Sequence, residues 1–152
     1  MGLALMCAAC SGKVDSARLI NQHASLPSSF NFSGMGLKVI TSSINSRKAT
    51  MSTLYGNGPA LERAIAGTAT HEAGEVYALV TWRQQEDPKW FGARIPGELQ
   101  TVELIRTARA KGEDMVVSYR KFKGKKLALD PDTLQQQARI TYIFGQKPSV
   151  TP

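Results

Sequence analysis

The chain contains two cysteines and two histidines, and the cysteine spacing invites a chemical reading first. Cys7 and Cys10 form a Cys-x-x-Cys pair ahead of Ser11. Covalent haem attachment needs a histidine directly after the second cysteine, and Ser11 occupies that place. A dithiol redox pair belongs at the start of a helix that follows a strand in a βαβ unit, and none surrounds this pair. Structural zinc needs four ligands, and the sequence has no second cysteine pair. Redox and metal chemistry are both poorly served here.

A targeting role suits the same residues better. Gly2 to Ala9 is an uncharged run of apolar and small residues, and the chain turns polar from Ser11. Cys10, preceded by Ala8 and Ala9, resembles the acylated cysteine at the end of a lipoprotein signal peptide. The run is too short to span a bilayer. It lacks the basic segment that opens a complete signal, which implies a start codon upstream or a degenerate signal. The expectation is an exported chain held on the periplasmic side of the cell envelope, its partner being membrane lipid through the acylated Cys10.

His71 and Glu72 are the one adjacent histidine–acid pair. No second histidine follows at the spacing of a His-Glu-x-x-His zinc helix, and His23 falls in a polar stretch near the start, so the pair reads as a solvated loop. Trp90-Phe91, flanked by Lys89 and Arg94, reads as a loop folded back over the core, because two fully exposed large aromatics are unusual. Its functional version is a pocket wall shared by Trp82, Trp90, Phe91 and Tyr55. Gly56-Asn57-Gly58 lacks the Lys-Ser/Thr that completes a phosphate-binding loop. No strained Gly-x-Ser-x-Gly turn marks a serine nucleophile. No catalytic residue is assigned.

Charge narrows the partners. A net charge of +7 favours an anionic surface. The densest basic run, Arg120, Lys121, Lys123, Lys125 and Lys126, lies where strand spacing sends alternate side chains to opposite faces. That dilutes any single phosphate-tracking groove and disfavours nucleic acid.

Several elements must position these residues. Residues 1–10 read as the leader and 11–29 as a flexible tether rich in serine. One domain of residues 30–146 follows, with a short tail at 147–152. Met35–Ile44 and Thr50–Tyr55 read as a hairpin. Pro59 and Gly67 bracket a helix at Ala60–Ala66, with Leu61 and Ile65 spaced four apart on one face. Glu75–Gln84 is the best strand. Val76, Ala78, Val80 and Trp82 line one side and the other side is only half polar, so the strand is central. Gln85–Leu99, with Asp87-Pro88 and Pro96-Gly97, reads as a long loop. Thr101–Thr107 and Met115–Phe122 form a second hairpin. A closing helix at Pro131–Phe144 is capped by Asp130, with Leu134, Ala138, Thr141 and Tyr142 on one flank. The fold class is α+β: an antiparallel sheet of about five strands with two peripheral helices.

Three stretches in this order resemble the cytochrome P-460 family and its relatives, the cytochromes c′-beta. They are Leu54-Tyr-Gly-Asn-Gly-Pro-Ala60, Ala78-Leu-Val-Thr-Trp-Arg83 and Phe91-Gly-Ala93. The strand at Thr101–Thr107 belongs to the same match, which covers about Phe30 to Phe122. The resemblance implies an exported domain whose sheet and helices enclose a pocket. In haem-bearing members a C-terminal Cys-x-x-Cys-His holds a c-type haem, and some members cross-link it through a lysine. This chain has no cysteine after Cys10. It carries Trp82-Arg83 where that lysine falls, and an always-protonated guanidinium makes a poor nucleophile. The resemblance thus implies a haem-less branch with no expected cofactor, acting as a non-catalytic binding or accessory protein. Its partner would be a small apolar ligand or a periplasmic redox protein. The alternative is non-covalent haem in an oxidoreductase or gas-binding protein, for which His71 is the one in-domain ligand.

Overall fold

Six strands hydrogen-bond into one antiparallel sheet in the order of the sequence. They are β1 (Lys38–Asn45), β2 (Thr50–Gly56), β3 (Val76–Glu86), β4 (Arg94–Arg109), β5 (Met115–Lys123) and the short β6 (Ala128–Leu129). Helix α1 (Gly58–Ala66) follows β2, and α2 (Gln136–Phe144) closes the fold. The structure, a computed structural model, describes residues 20–110, 114–132 and 134–149. Cys7, Cys10 and the expected leader lie outside the described residues.

Local chemistry explains α1. Asn57 caps its start by accepting from the Ala60 amide, Pro59 sits in the first turn, and Gly67 ends it at φ 65°. Asn57 also donates to the Gly74 carbonyl and accepts from Val76 N, tying the helix start to the entry of β3. Gly56 makes the turn into the helix feasible: a Cβ there would meet Ile40 Cδ1 at 2.6 Å and the Ala60 Cβ at 2.9 Å. The buried residues of α1 are Ala60 and Ala64, while Ile65 is largely exposed. Of the Leu61–Ile65 face, Leu61 packs partly buried against the core and Ile65 does not. A helix pressed closely on strands has room for alanines at the contact, so its bulkier isoleucine turns outward.

Pairing places β3 near the middle, between β2 and β4, and it is buried on both sides. Its alternation separates two cores. Tyr77 and Leu79 join Ile40, Leu54, Ile105, Ile140 and Ile143 under the helices. Val80 and Trp82 join Leu99 and Val102 on the opposite face, beneath Ala24, Leu26, Phe30 and Phe32. This second face is covered, among the described residues, by irregular chain and a 3-10 turn at Ser33–Met35. The segment expected to be a tether therefore lies, from Asn21 onward, against the sheet.

Four further expectations change. The long loop at Gln85–Leu99 is mostly strand: β3 and β4 pair from Gln84↔Pro96 out to Glu86↔Arg94. Pro96 is tolerated because β5 pairs with β4 only from Thr101 onward, which leaves the start of β4 as a free edge. Gly97 sits at a bulge, where a Cβ would press on the Arg83 carbonyl at 3.0 Å. The final helix starts at Gln136 rather than Pro131, and β6 occupies part of the preceding stretch. Asp130 does not cap the helix. Its carboxylate lies 3.1 Å and 3.0 Å from the Lys121 and Lys123 ammoniums, holding that stretch extended beside β5. Finally, α2 buries Ile140 and Ile143, while Leu134 and Tyr142 face solvent.

Candidate functional site

Two places gather chemistry, one on each face. Under the helices, Glu75 is almost completely buried at the entry to β3. Its Oε2 accepts from Tyr77 Oη at 2.8 Å and lies 2.7 Å from His71 Nδ1, and its Oε1 accepts from Glu72 N at 2.7 Å. A carboxylate can only accept, so Nδ1 carries the hydrogen. The His71 ring stacks on Phe144 at a centroid distance of 3.6 Å. Arg63 of α1 closes the cluster, donating to Tyr77 Oη, to the Thr68 carbonyl and to the Phe144 carbonyl at the end of α2.

A second buried carboxylate, Glu103 on β4, takes two hydrogen bonds from Arg139 of α2 and one from Tyr119 of β5. Burial, and then hydrogen bonding to the neighbouring carboxylate, pushes both Tyr77 and Tyr119 well above the usual phenol range. Both remain phenols that donate. Each carboxylate has its oxygens engaged by groups from different elements, which is the pattern of a structural pin.

His71 is therefore not the solvated loop residue expected. Its side chain is 17% exposed, and its partner is Glu75 rather than Glu72. A turn through Gly74 brings the start of β3 back beside the histidine, a pairing that adjacency in sequence does not show. Beside it lies a hollow of about 320 Å³ lined by Arg63, Thr68, His71, Phe144, Gln146 and Lys147. Among the described residues no three His, Cys, Asp or Glu side chains converge as a metal site.

The opposite face is different. A groove of about 510 Å³ opens beside the covering segment, lined by Phe30, Met35, Leu104, Phe122 and Leu127 together with Ser29 and Asn31, with Arg106 and Lys126 at its rim. A hollow of about 290 Å³ shares Leu104 and Arg106 and continues to Ser118 and Arg120. Arg106 reaches Met35 Sδ at 3.6 Å, and among the described residues no carboxylate pairs with Arg106, Arg120 or Lys126. Leu127 is held at φ 50°, a conformation a leucine adopts only under constraint.

The four residues expected to share a pocket wall are separated. Trp82 is buried and donates from its indole N–H to the Ala24 carbonyl at 2.8 Å. Tyr55 packs edge-on against Phe32 at 4.5 Å in the same core. Neither lines the groove. Trp90 and Phe91 stand at the tip of the β3–β4 hairpin, 71% and 109% exposed, so they do not fold back over the core as expected. The hairpin is long enough to carry them past the covering segment. His23 is exposed. The groove residues escaped sequence reading, although one signal was present. On β4 the apolar alternation Val102, Leu104 continues into Arg106, placing a cation on the apolar side of the strand.

Compared with known protein families and with curated proteins, the chain matches none.

Proposed function

We propose that this chain is a non-catalytic binding or accessory domain on a scaffold resembling cytochrome P-460, exported and anchored to the cell envelope through acylated Cys10. Its ligand is a small, mostly apolar molecule with an anionic end. The observation that carries this reading is the open-face groove. Its volume falls in the range of small-ligand sites, Phe30, Met35, Leu104, Phe122 and Leu127 give it an apolar part beside the polar Ser29 and Asn31, and its charged groups share one sign. The engaged state of Glu75 and Glu103 supports a structural use of the buried acids rather than acid–base work.

Haem fits less well. His71 has its Nδ1 oriented by a carboxylate, as metal-ligating histidines often do. One face of its ring is already taken by Phe144, and the adjoining hollow is walled by Arg63, Thr68, Gln146 and Lys147. A porphyrin needs broad apolar walls, and a hollow of about 320 Å³ that sets these four residues among Ala64, Ala69 and Phe144 is small and mixed.

Calorimetric titration with dodecanoate, dodecanol and dodecyltrimethylammonium tests the groove. Dodecanoate is expected to bind best, and Arg106→Ala to weaken it about tenfold, in line with losing one charge-assisted hydrogen bond. Equal binding of all three amphiphiles, or an unaltered Arg106→Ala, would sink the proposal. A Soret band that survives purification and disappears in His71→Ala would favour the haem reading instead.

A further inference from the structure

The β3–β4 hairpin ends in Trp90 and Phe91, both held out into solvent. The loop is not loose. Asp87 Oδ1 accepts from Lys89 N and Trp90 N, Asp87 N donates to the Ala93 carbonyl, and Ala93 N donates to the Trp90 carbonyl. Pro88 has no N–H to satisfy, and Gly92 takes the positive φ of 79° that the turn requires. The N–H groups of Asp87, Lys89, Trp90 and Ala93 are bonded within the loop, which lowers the cost of moving this backbone out of water at a membrane interface. The two rings are thus displayed on a preorganised, self-bonded tip.

The surroundings are basic. The β1–β2 turn, with Arg47 and Lys48, lies at this same end of the sheet, since Gln84 N donates to the Ala49 carbonyl. Arg83 and Lys89 are exposed there, and Lys125, in the β5–β6 turn, is directed to the Gln22 carbonyl of the covering segment. Of the acids, Glu86 pairs with Arg94 at 3.4 Å and Asp87 is turned onto its own loop, while Glu98 stands exposed against the cations.

We infer that this aromatic tip is an insertion site for an anionic lipid surface. The area argues against a protein partner. Two aromatic side chains offer at most about 500 Å², whereas a specific protein interface takes roughly 800 Å² from each side. Tryptophan and phenylalanine beside cations are instead the composition that settles at the boundary of headgroups and acyl chains.

A second observation agrees, and this leg rests on the anchored reading above. Asn21 Nδ2 donates to the Pro96 carbonyl at 2.7 Å, so the described chain begins beside the stem of this hairpin. Ten residue steps lead from Cys10 to Ile20, a reach of at most about 35 Å. The tip projects at most about 20 Å beyond the Gln84↔Pro96 pair, the limit set by strand rise. Acyl chain and aromatic tip can therefore meet one membrane together. That matters because a single attachment gives only marginal membrane binding and two give stable binding.

The test uses the full chain carrying Cys10→Ser, which cannot be acylated, sedimented with vesicles of equal phosphatidylcholine and phosphatidylglycerol. Partition is expected, with a blue shift of tryptophan emission, and it weakens on pure phosphatidylcholine. Adding Trp90→Ser with Phe91→Ser lowers partition about tenfold on the order of magnitude set by losing the apolar anchor, with an unchanged unfolding midpoint. Absence of partition, or partition indifferent to the double substitution, overturns the inference. A wild-type chain that is never lipidated removes the anchor reading, while tip-dependent partition of the Cys10→Ser chain still supports the inference.

Discussion

The two faces of the one sheet are covered in opposite ways. On the helix face, α1 and α2 satisfy their own backbones and lie directly on the strands, so the seal is close enough to bury two carboxylates. Arginines from different helices, Arg63 and Arg139, then serve those carboxylates' neighbourhoods and link the helices to the sheet. On the open face the cover is irregular chain. It attaches where it finds partners: the free edge of β4 at Pro96, the Trp82 indole, and Lys125. Between these ties it leaves the groove, bordered by Phe30 and Met35 of the cover and by Leu104, Phe122 and Leu127. A regular cover seals a face, while an irregular cover follows its hydrogen-bond partners and leaves a usable opening.

The sharpest way to break this comparison is to remove Trp82, which is both the core of the open face and a tie for its cover. Trp82→Ala should destabilise the chain by about 3–5 kcal/mol, the usual cost of deleting a buried large aromatic. Denaturant unfolding reads the loss, and limited proteolysis should open first between Asn21 and Ser29. A midpoint close to wild type would mean that the cover is held elsewhere.

Arg139→Ala attacks the other face. It strands the buried Glu103 with Tyr119 as its remaining side-chain donor, so a loss of about 2–3 kcal/mol is expected. The figure sits below the range for fully buried pairs because Arg139 is about one-third exposed. The double variant Glu103→Leu with Arg139→Leu should be less harmful than Arg139→Ala alone. Additive losses in a double-mutant cycle would show that Glu103 is not a pinned charge.

The smallest effect concerns acid. The ammoniums of Lys123 and Lys121 hold the Asp130 carboxyl down at about 2, below the ordinary aspartate range near 4. A carboxyl depressed on folding adds stability above its unfolded pKa, and that stability is lost as pH falls from about 4 towards 2. Wild type should lose stability more steeply than Asp130→Asn across that window, and the two should converge at its lower end. Parallel curves would show that the lysines contribute nothing to the β5–β6 edge.

Legibility followed distance along the chain. Pro59 and Gly67 act within one helix, and α1 was readable from them, whereas the Asn57 cap was passed over as part of a strand break. The alternation of β3 was equally plain, and its half-apolar second side marked a central strand. Pro96-Gly97 misled because a proline inside a strand makes sense only once β5 is known to stop at Thr101. The outward Ile65 and Leu134 misled because periodicity marks a flank without saying how much room the neighbour leaves. His71 was visible as a residue and wrongly paired, since its partner depends on the turn through Gly74.

By itself the sequence determined the α+β class, the strand alternation and the capped helix, because periodicity and capping are completed among residues a few positions apart. The tertiary structure alone decided which face was sealed, where the groove lay and which aromatics stayed wet. Those outcomes rest on contacts such as Trp82 with Ala24, 58 positions away, and Arg63 with Phe144, 81 positions away. Burial and partner choice belong to surfaces that exist only after the strands have paired, and no local pattern encodes them.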